Sequence, residues 1–254
     1  MLLYRYKIQM VFRRKIKRSF QYICILNSYE GEITMNGNLV ITIGRECGSG
    51  GRLIGQRLAE RLNIKCYDKE LLALAAKESG LNKELFESQD EKPTNSFLYS
   101  LVMDTYSLGY SNSPYIDMPL NQKVFLAQFE TIRNLASKES CVIVGRCADY
   151  ALANDPDVIS VFITADMDDK VDEIVKLNHL APEKAKDFIQ KTDKKRSHYY
   201  NYYSNKKWGD VGSYDLCLNS SKITNEGVVE LILEYIKIKE RHHKEEKMNT
   251  ETKF

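Results

Sequence analysis

A chain of 254 residues, 43% of them hydrophobic, can bury one sizeable core, and its length favours one domain or one domain with an inserted lobe. The formal net charge of +2 is close to balance, and residues 1–34 hold seven Lys/Arg against only Glu30 and Glu32, so the remainder is slightly acidic. That distribution excludes the basic field expected of a nucleic-acid partner.

Six cysteines are scattered without a C-x-x-C pair. They read as reduced, mostly buried thiols in a cytoplasmic protein, with neither a disulfide framework nor a zinc site. Residues 1–37 read as an N-terminal extension outside the fold. Its apolar runs, such as 22–26, are too short to span a membrane, and no small-residue cleavage site follows them. Met35 stands directly before the first core strand and is the expected native start.

Leu39 to Ile43 is a buried strand, followed by a turn containing Gly44, Gly48, Gly50 and Gly51. The turn opens a helix with Ile54, Leu58 and Leu62 along one face. A strand, a glycine-rich turn and a helix start together make a phosphate cradle, because backbone N–H groups and the positive helix end converge there. The standard loop is G-x-x-x-x-G-K-[ST]. Here Arg45 stands where the first glycine belongs, Gly51 replaces the lysine and Arg52 replaces the hydroxyl residue.

Ile64 to Tyr67 forms a second strand. Asp68 after it has two readings, a helix N-cap or a ligand at the carboxyl end of a parallel strand. Residues 81–120 are rich in Asn, Ser, Pro and Tyr and read as a mobile insertion. Residues 121–138 return to helical spacing through Val124, Ala127 or Gln128, Thr131 and Leu135. Cys141 to Val144 is the third strand and runs into Gly145-Arg146, where open α/β sheets bind ligands, so Arg146 is a candidate anion ligand. Asp149 can pair with Arg146 or cap the following helix.

Val158 to Thr164 is the fourth strand. A polar helix over 166–178 follows, then a helix over 181–189 with Pro182 in its first turn. The stretch from Lys191 to Asp210 mixes Lys194, Lys195, Arg196, Lys206 and Lys207 with four tyrosines and Trp208. It is either a solvated helix whose tyrosines cover an apolar flank or a basic lid that closes over phosphates. Tyr214 to Asn219 is the fifth strand, residues 224–238 form a closing helix, and the charged tail 241–254 is expected to be disordered. The alternation predicts a five-stranded parallel sheet with helices on both faces and right-handed crossovers.

Three stretches together resemble the cytidylate kinase-like family of nucleoside monophosphate kinase relatives: ITIGRECGSGGRLIGQRLAERL with YDKELL, then CVIVGRCADYAL, then DKKRSHYYNYYSNKKWGD with YDLCLNSS. The resemblance spans residues 38 to 238. It implies a P-loop fold over 38–240, a monophosphate lobe inserted near 81–120, a lid near 191–213, and transfer of the γ-phosphoryl group of ATP, with Mg2+, to CMP or dCMP. By this resemblance Gly48, Ser49, Gly50 and Gly51 match the phosphate loop, Asp68 and Arg146 the acceptor site, and Arg196 a lid arginine. The chain departs at Gly51, Arg52 and Cys147, where the family pattern has Lys, Ser/Thr and Asp.

Arg52 and Arg196 are therefore the expected catalytic cations, Arg52 lying in the ATP phosphate site itself, with Arg45 or a lid base as substitutes. The alternatives are a nucleotide-binding regulatory module that has lost catalysis, and a kinase of a different small substrate. No metal ligands can be named from the sequence, and neither nucleic acid nor membrane is expected as a partner.

Overall fold

Five short apolar runs become strands, and each is followed by a helix-forming stretch that returns the chain for parallel pairing. The computed structural model describes residues 38–80, 84, 87 and 119–251. All of these fall in one of the chain's two units, Asn36–Phe254. The extension 1–37 and nearly all of the expected insertion 81–120 lie outside the described residues.

In chain order the elements are β1 (Val40–Arg45), α1 (Gly51–Leu62), β2 (Lys65–Tyr67), α2 (Glu70–Ser79), α3 (Leu120–Lys138), β3 (Cys141–Val144), α4 (Ala148–Ala151), β4 (Ile159–Thr164), α5 (Met167–Asn178), α6 (Pro182–Ser204), a 3-10 turn (Val211–Ser213), β5 (Leu216–Asn219) and α7 (Asn225–Glu251). The sheet order is β2-β3-β1-β4-β5, and every pairing is parallel. β1 is central, so the loop that leaves it sits between the carboxyl ends of β3 and β4. That is the crevice where such sheets bind ligands.

Strand alternation distributes the core between two faces. Val40 pairs with Cys141 and Thr42 with Ile143, and this side packs on Ile132 and Ala136 of α3. Ile43 pairs with Val144, and both approach Gly55 of α1 on the opposite face. A Cβ at Gly55 would lie 3.0 Å from Val144 Cγ2 and 3.2 Å from Ile43 Cδ1. The absence of a side chain there lets α1 seat closely on the sheet and sets the height of the loop before it.

Three elements run further than expected. β1 runs two residues further, because Gly44 and Arg45 pair with Phe162 and Ile163 of β4, and Gly44 leaves room for the Phe162 ring. α6 is one 23-residue helix rather than a short helix followed by a separate lid segment. Nothing breaks it: the chain has no Gly or Pro between Glu183 and Ser204. α7 continues to Glu251, so the first eleven residues of the tail expected to be disordered are helical. Their Glu, Lys, Arg and Met content supports helix and contains no breaker.

The second half of α6 is held by aromatic packing. Phe125 stacks on Tyr203 with centroids 3.9 Å apart, Tyr199 and Tyr203 lie 4.8 Å apart, and Phe162 meets Trp208 edge-on at 5.2 Å. The tyrosines thus cover an apolar flank, as one of the two sequence readings had it. Tyr200 donates a 2.6 Å hydrogen bond to Asp149 Oδ2, tying α6 to α4. Burial pushes the Asp149 carboxyl above its usual range, against the Tyr200 hydrogen bond and the charge of Lys206.

Two outcomes follow from this packing. Gly55→Leu forces a side chain into the α1–sheet contact, and urea unfolding is expected to show a loss of about 1–3 kcal/mol; an unchanged midpoint would contradict the close seating. For Asp149, the folded chain keeps a proton that the unfolded chain has already released, so this group's contribution falls as pH rises from about 4 through its raised value. Asp149→Asn is expected to flatten that slope in denaturant titrations across the acid range, and a slope identical to wild type would rule out the assignment.

Candidate phosphate-binding site

The loop between β1 and α1 takes its shape from two glycines. Gly48 and Gly50 have φ of 79° and 75°, the left-handed region that residues with a Cβ rarely adopt. A Cβ would also strike the Lys170 carbonyl 2.7 Å from Gly48, or the Asn225 side chain 2.6 Å from Gly50. α1 then begins at Gly51 with no acidic residue in its first turn. Its leading N–H groups have no intrahelical acceptor and its dipole presents positive charge, the two properties that hold phosphate. Ser49 turns inward: its hydroxyl donates to the Glu46 carbonyl at 2.9 Å, while Ser220 Oγ donates to the Ser49 carbonyl at 2.9 Å.

Asp68 does not act as a cap. Lys69 occupies the N-cap position of α2, without a side-chain cap bond. The Asp68 carboxylate instead bridges two arginines, with Oδ2 2.9 Å from Arg52 Nε and Oδ1 3.3 Å from Arg146 Nη1. Arg146 is only 4% exposed, and it donates a further bond to the Val144 carbonyl at 3.3 Å. Gly145, Arg146 and Cys147 all have positive φ, of 81°, 55° and 54°. For the two residues with side chains this costs on the order of 1–3 kcal/mol each, and the turn aims Arg146 inward at the sheet edge.

Arg196, halfway along α6, donates to the Arg45 carbonyl at 3.3 Å. A cavity of about 20 Å³ opens between these elements, and Arg45, Arg146, Arg196, Asp149, Tyr200 and Tyr214 are among its lining residues. That volume admits about one water molecule, so a larger ligand enters only if α6 and the Arg45 side chain shift. Of the expected site residues, Arg52, Asp68 and Arg146 form one connected group. Arg196 reaches the loop from its other side. Asp149, expected to pair with Arg146 or to cap a helix, binds Tyr200 instead.

Sequence reasoning missed a charged cluster under the loop. Lys170 Nζ lies 3.0 Å from Glu46 Oε2 and 3.2 Å from Asp193 Oδ2. Asp193 Oδ1 accepts the Cys47 N–H at 2.6 Å, and Glu46 Oε2 accepts from Thr164 Oγ1 at 2.7 Å. Burial opposes the charge on Lys170, but the two carboxylates outweigh it and raise the ammonium's pKa. Burial also pushes up the Asp193 carboxyl and the Cys47 thiol, which disfavours the thiolate at Cys47. The three-residue spacing of Asp193 and Arg196, which places both on one helical face, was the available signal. Lys170 had none, since a lysine in a polar helix reads as solvated.

Among the described residues no group of three or more His, Cys, Asp or Glu is placed to hold a metal ion, and no helix is long and apolar enough to cross a membrane.

Several solved structures align with this chain. An uncharacterized protein from Eubacterium ventriosum ATCC 27560 is 32% identical, with a TM-score of 0.58, covering 79% of this chain and 99% of that one. The shikimate kinase of Bacteroides thetaiotaomicron aligns at 16% identity and TM-score 0.46, covering 78% of this chain and 98% of its own. The shikimate kinase of Acinetobacter baumannii, solved with shikimate, aligns at 12% and 0.42, covering 79% and 93%. No curated protein matches the chain. Residues 40–222 match the family model described as cytidylate kinase-like, and the chain belongs to the cytidylate kinase-like family.

Proposed function

We propose that this protein transfers the γ-phosphoryl group of ATP to a nucleoside monophosphate such as CMP or dCMP. Family membership supports a nucleotide kinase in general, using ATP and magnesium; the acceptor is the part proposed. The observation that carries it is the gathering of Arg45, Arg146 and Arg196 around one cavity beside the phosphate loop. Three arginines lining one cavity, Arg146 among them held by Asp68, suit an acceptor that brings its own phosphate.

In this reading the amides of Gly48 to Arg52 and the start of α1 hold the ATP phosphates. The loop suits them, since its left-handed glycines let the backbone turn tightly into the start of α1. Magnesium bound with ATP would supply charge neutralisation to the phosphates held there. Arg146, steadied by Asp68, orients the acceptor phosphate, and Arg196 brings lid charge over the transferring group. An acceptor phosphate oxygen forms the new bond to the γ-phosphorus as the bond to the β–γ bridging oxygen breaks, and ADP leaves with the electron pair. No general base is needed, because the attacking oxygen is already anionic. Arg52 acts from its pairing with Asp68; its side chain is 53% exposed.

One observation favours a second reading. Gly51 stands where the lysine of the standard loop belongs, which suits a regulatory module that binds nucleotide without turnover. Cys147 in place of aspartate leaves room for a different small acceptor. We assign the protein to the cytoplasm, in keeping with the absence of a disulfide among its described cysteines.

Incubation with ATP-Mg and a panel of nucleoside monophosphates, scored as ADP formation, tests the proposal. Turnover with CMP or dCMP is expected, and ATP binding by calorimetry with no turnover on any acceptor would establish the second reading instead. Arg146→Ala is expected to lower kcat/KM for the acceptor by on the order of a hundredfold while ATP-Mg affinity stays within about threefold. Equal activity in that variant would remove Arg146 from the site.

A further inference from the structure

The loop lacks a lysine at position 51, and the geometry shows why none fits. A Cβ built on Gly51 would lie 2.5 Å from Arg45 Cβ and 3.1 Å from Arg45 Cγ. The space that a side chain at position 51 would enter is therefore filled by the stem of Arg45. The same side chain continues over Gly145, where an added Cβ would overlap its guanidinium. Gly145 has a φ of 81°, so backbone conformation and Arg45 both exclude a side chain there. Arg45 is thus laid along a track between the loop and the carboxyl end of β3, with its charged end in the cavity shared with Arg146 and Arg196.

Two departures from the standard loop then become one. The standard pattern has glycine at its first position and lysine at its seventh; this chain has Arg45 at the first and Gly51 at the seventh. The residue bearing the charge and the residue making room for it have exchanged ends of the loop. β1 supplies the rigidity: Arg45 is its last residue, in register with Ile163 of β4, and its carbonyl is held by Arg196. Arg52, by contrast, is drawn aside by Asp68 at 2.9 Å.

We infer that Arg45 supplies, from the end of β1, the cation that contacts the terminal phosphates of the nucleotide, and that Gly51 is glycine because Arg45 occupies its side-chain space. This inference rests on the phosphoryl-transfer reading above and deepens it.

The test uses the full chain in five forms: wild type, Arg45→Gly, Gly51→Lys, and the double variants Arg45→Gly/Gly51→Lys and Arg45→Gly/Gly51→Met. ATP-Mg affinity is read by calorimetry, and ADP formation with CMP as the probe acceptor. Arg45→Gly is expected to lose turnover by about a hundredfold, and Gly51→Lys alone to be impaired because its side chain meets Arg45. The lysine double variant rebuilds the standard loop and is expected to recover at least about tenfold over Arg45→Gly in turnover or, where CMP is not accepted, in ATP-Mg affinity. The methionine double variant fills the same space without charge and is expected to stay low.

Equal behaviour of the two double variants overturns the inference, and that comparison still decides if Arg45→Gly alone does not fold. Wild-type behaviour of Arg45→Gly also overturns it while leaving phosphoryl transfer standing. A wild-type protein that neither binds nor turns over ATP-Mg overturns the proposed function, and this inference with it.

Discussion

The Asp68 carboxylate is the interaction on which the site depends. It joins the end of β2 to the first turn of α1 and the turn after β3 by holding Arg52 at 2.9 Å and Arg146 at 3.3 Å. A buried guanidinium without a counter-charge is costly, and Asp68 places a counter-charge beside Arg146 at the carboxyl end of β3. The same carboxylate engages Arg52 of α1, while the Arg45 side chain lies beside Gly51 and Gly145.

The same balance recurs beneath the loop with the signs reversed. Glu46 and Asp193 would together place two negative charges beside an anion-binding turn, and Lys170 lies between them, its side chain only 6% exposed. Asp193 satisfies the Cys47 amide, so that part of the loop is shaped by α6 while the amides from Gly50 onward belong to α1. The cradle is therefore assembled from both sides, and its charges are compensated locally. Cations and carboxylates interleave across loop, α5 and α6 instead of forming one positive field.

The parallel sheet was legible because its five strands come from short apolar runs bounded by polar or glycine residues. β3 matched its expected limits, lying between Ser140 and Gly145. β1 was read two residues short, since Gly44 and Arg45 carry no strand pattern of their own and extend only because β4 pairs with them. The break expected inside α6 came from its polar run at 191–198. Tertiary packing of Tyr199, Tyr200 and Tyr203 overrides that polarity. Asp68 and Arg146 could be picked out as candidates because they lie just beyond the carboxyl ends of β2 and β3, where parallel sheets bind ligands. Lys170 and Asp193 could not, because a charge buried by partners distant in sequence looks the same in the chain as one in water.

The continuity of α6 has a mechanical consequence. Asp193 and Arg196, which hold the loop, and Tyr199 to Tyr203, which sit in the aromatic cluster, are parts of one rod. Such a segment does not peel back residue by residue. It tips as a lever, so that loosening the grip on the loop also pulls on the packing of Phe125 against Tyr203. Any opening of the cavity that moves α6 would therefore also work against the fold's aromatic packing.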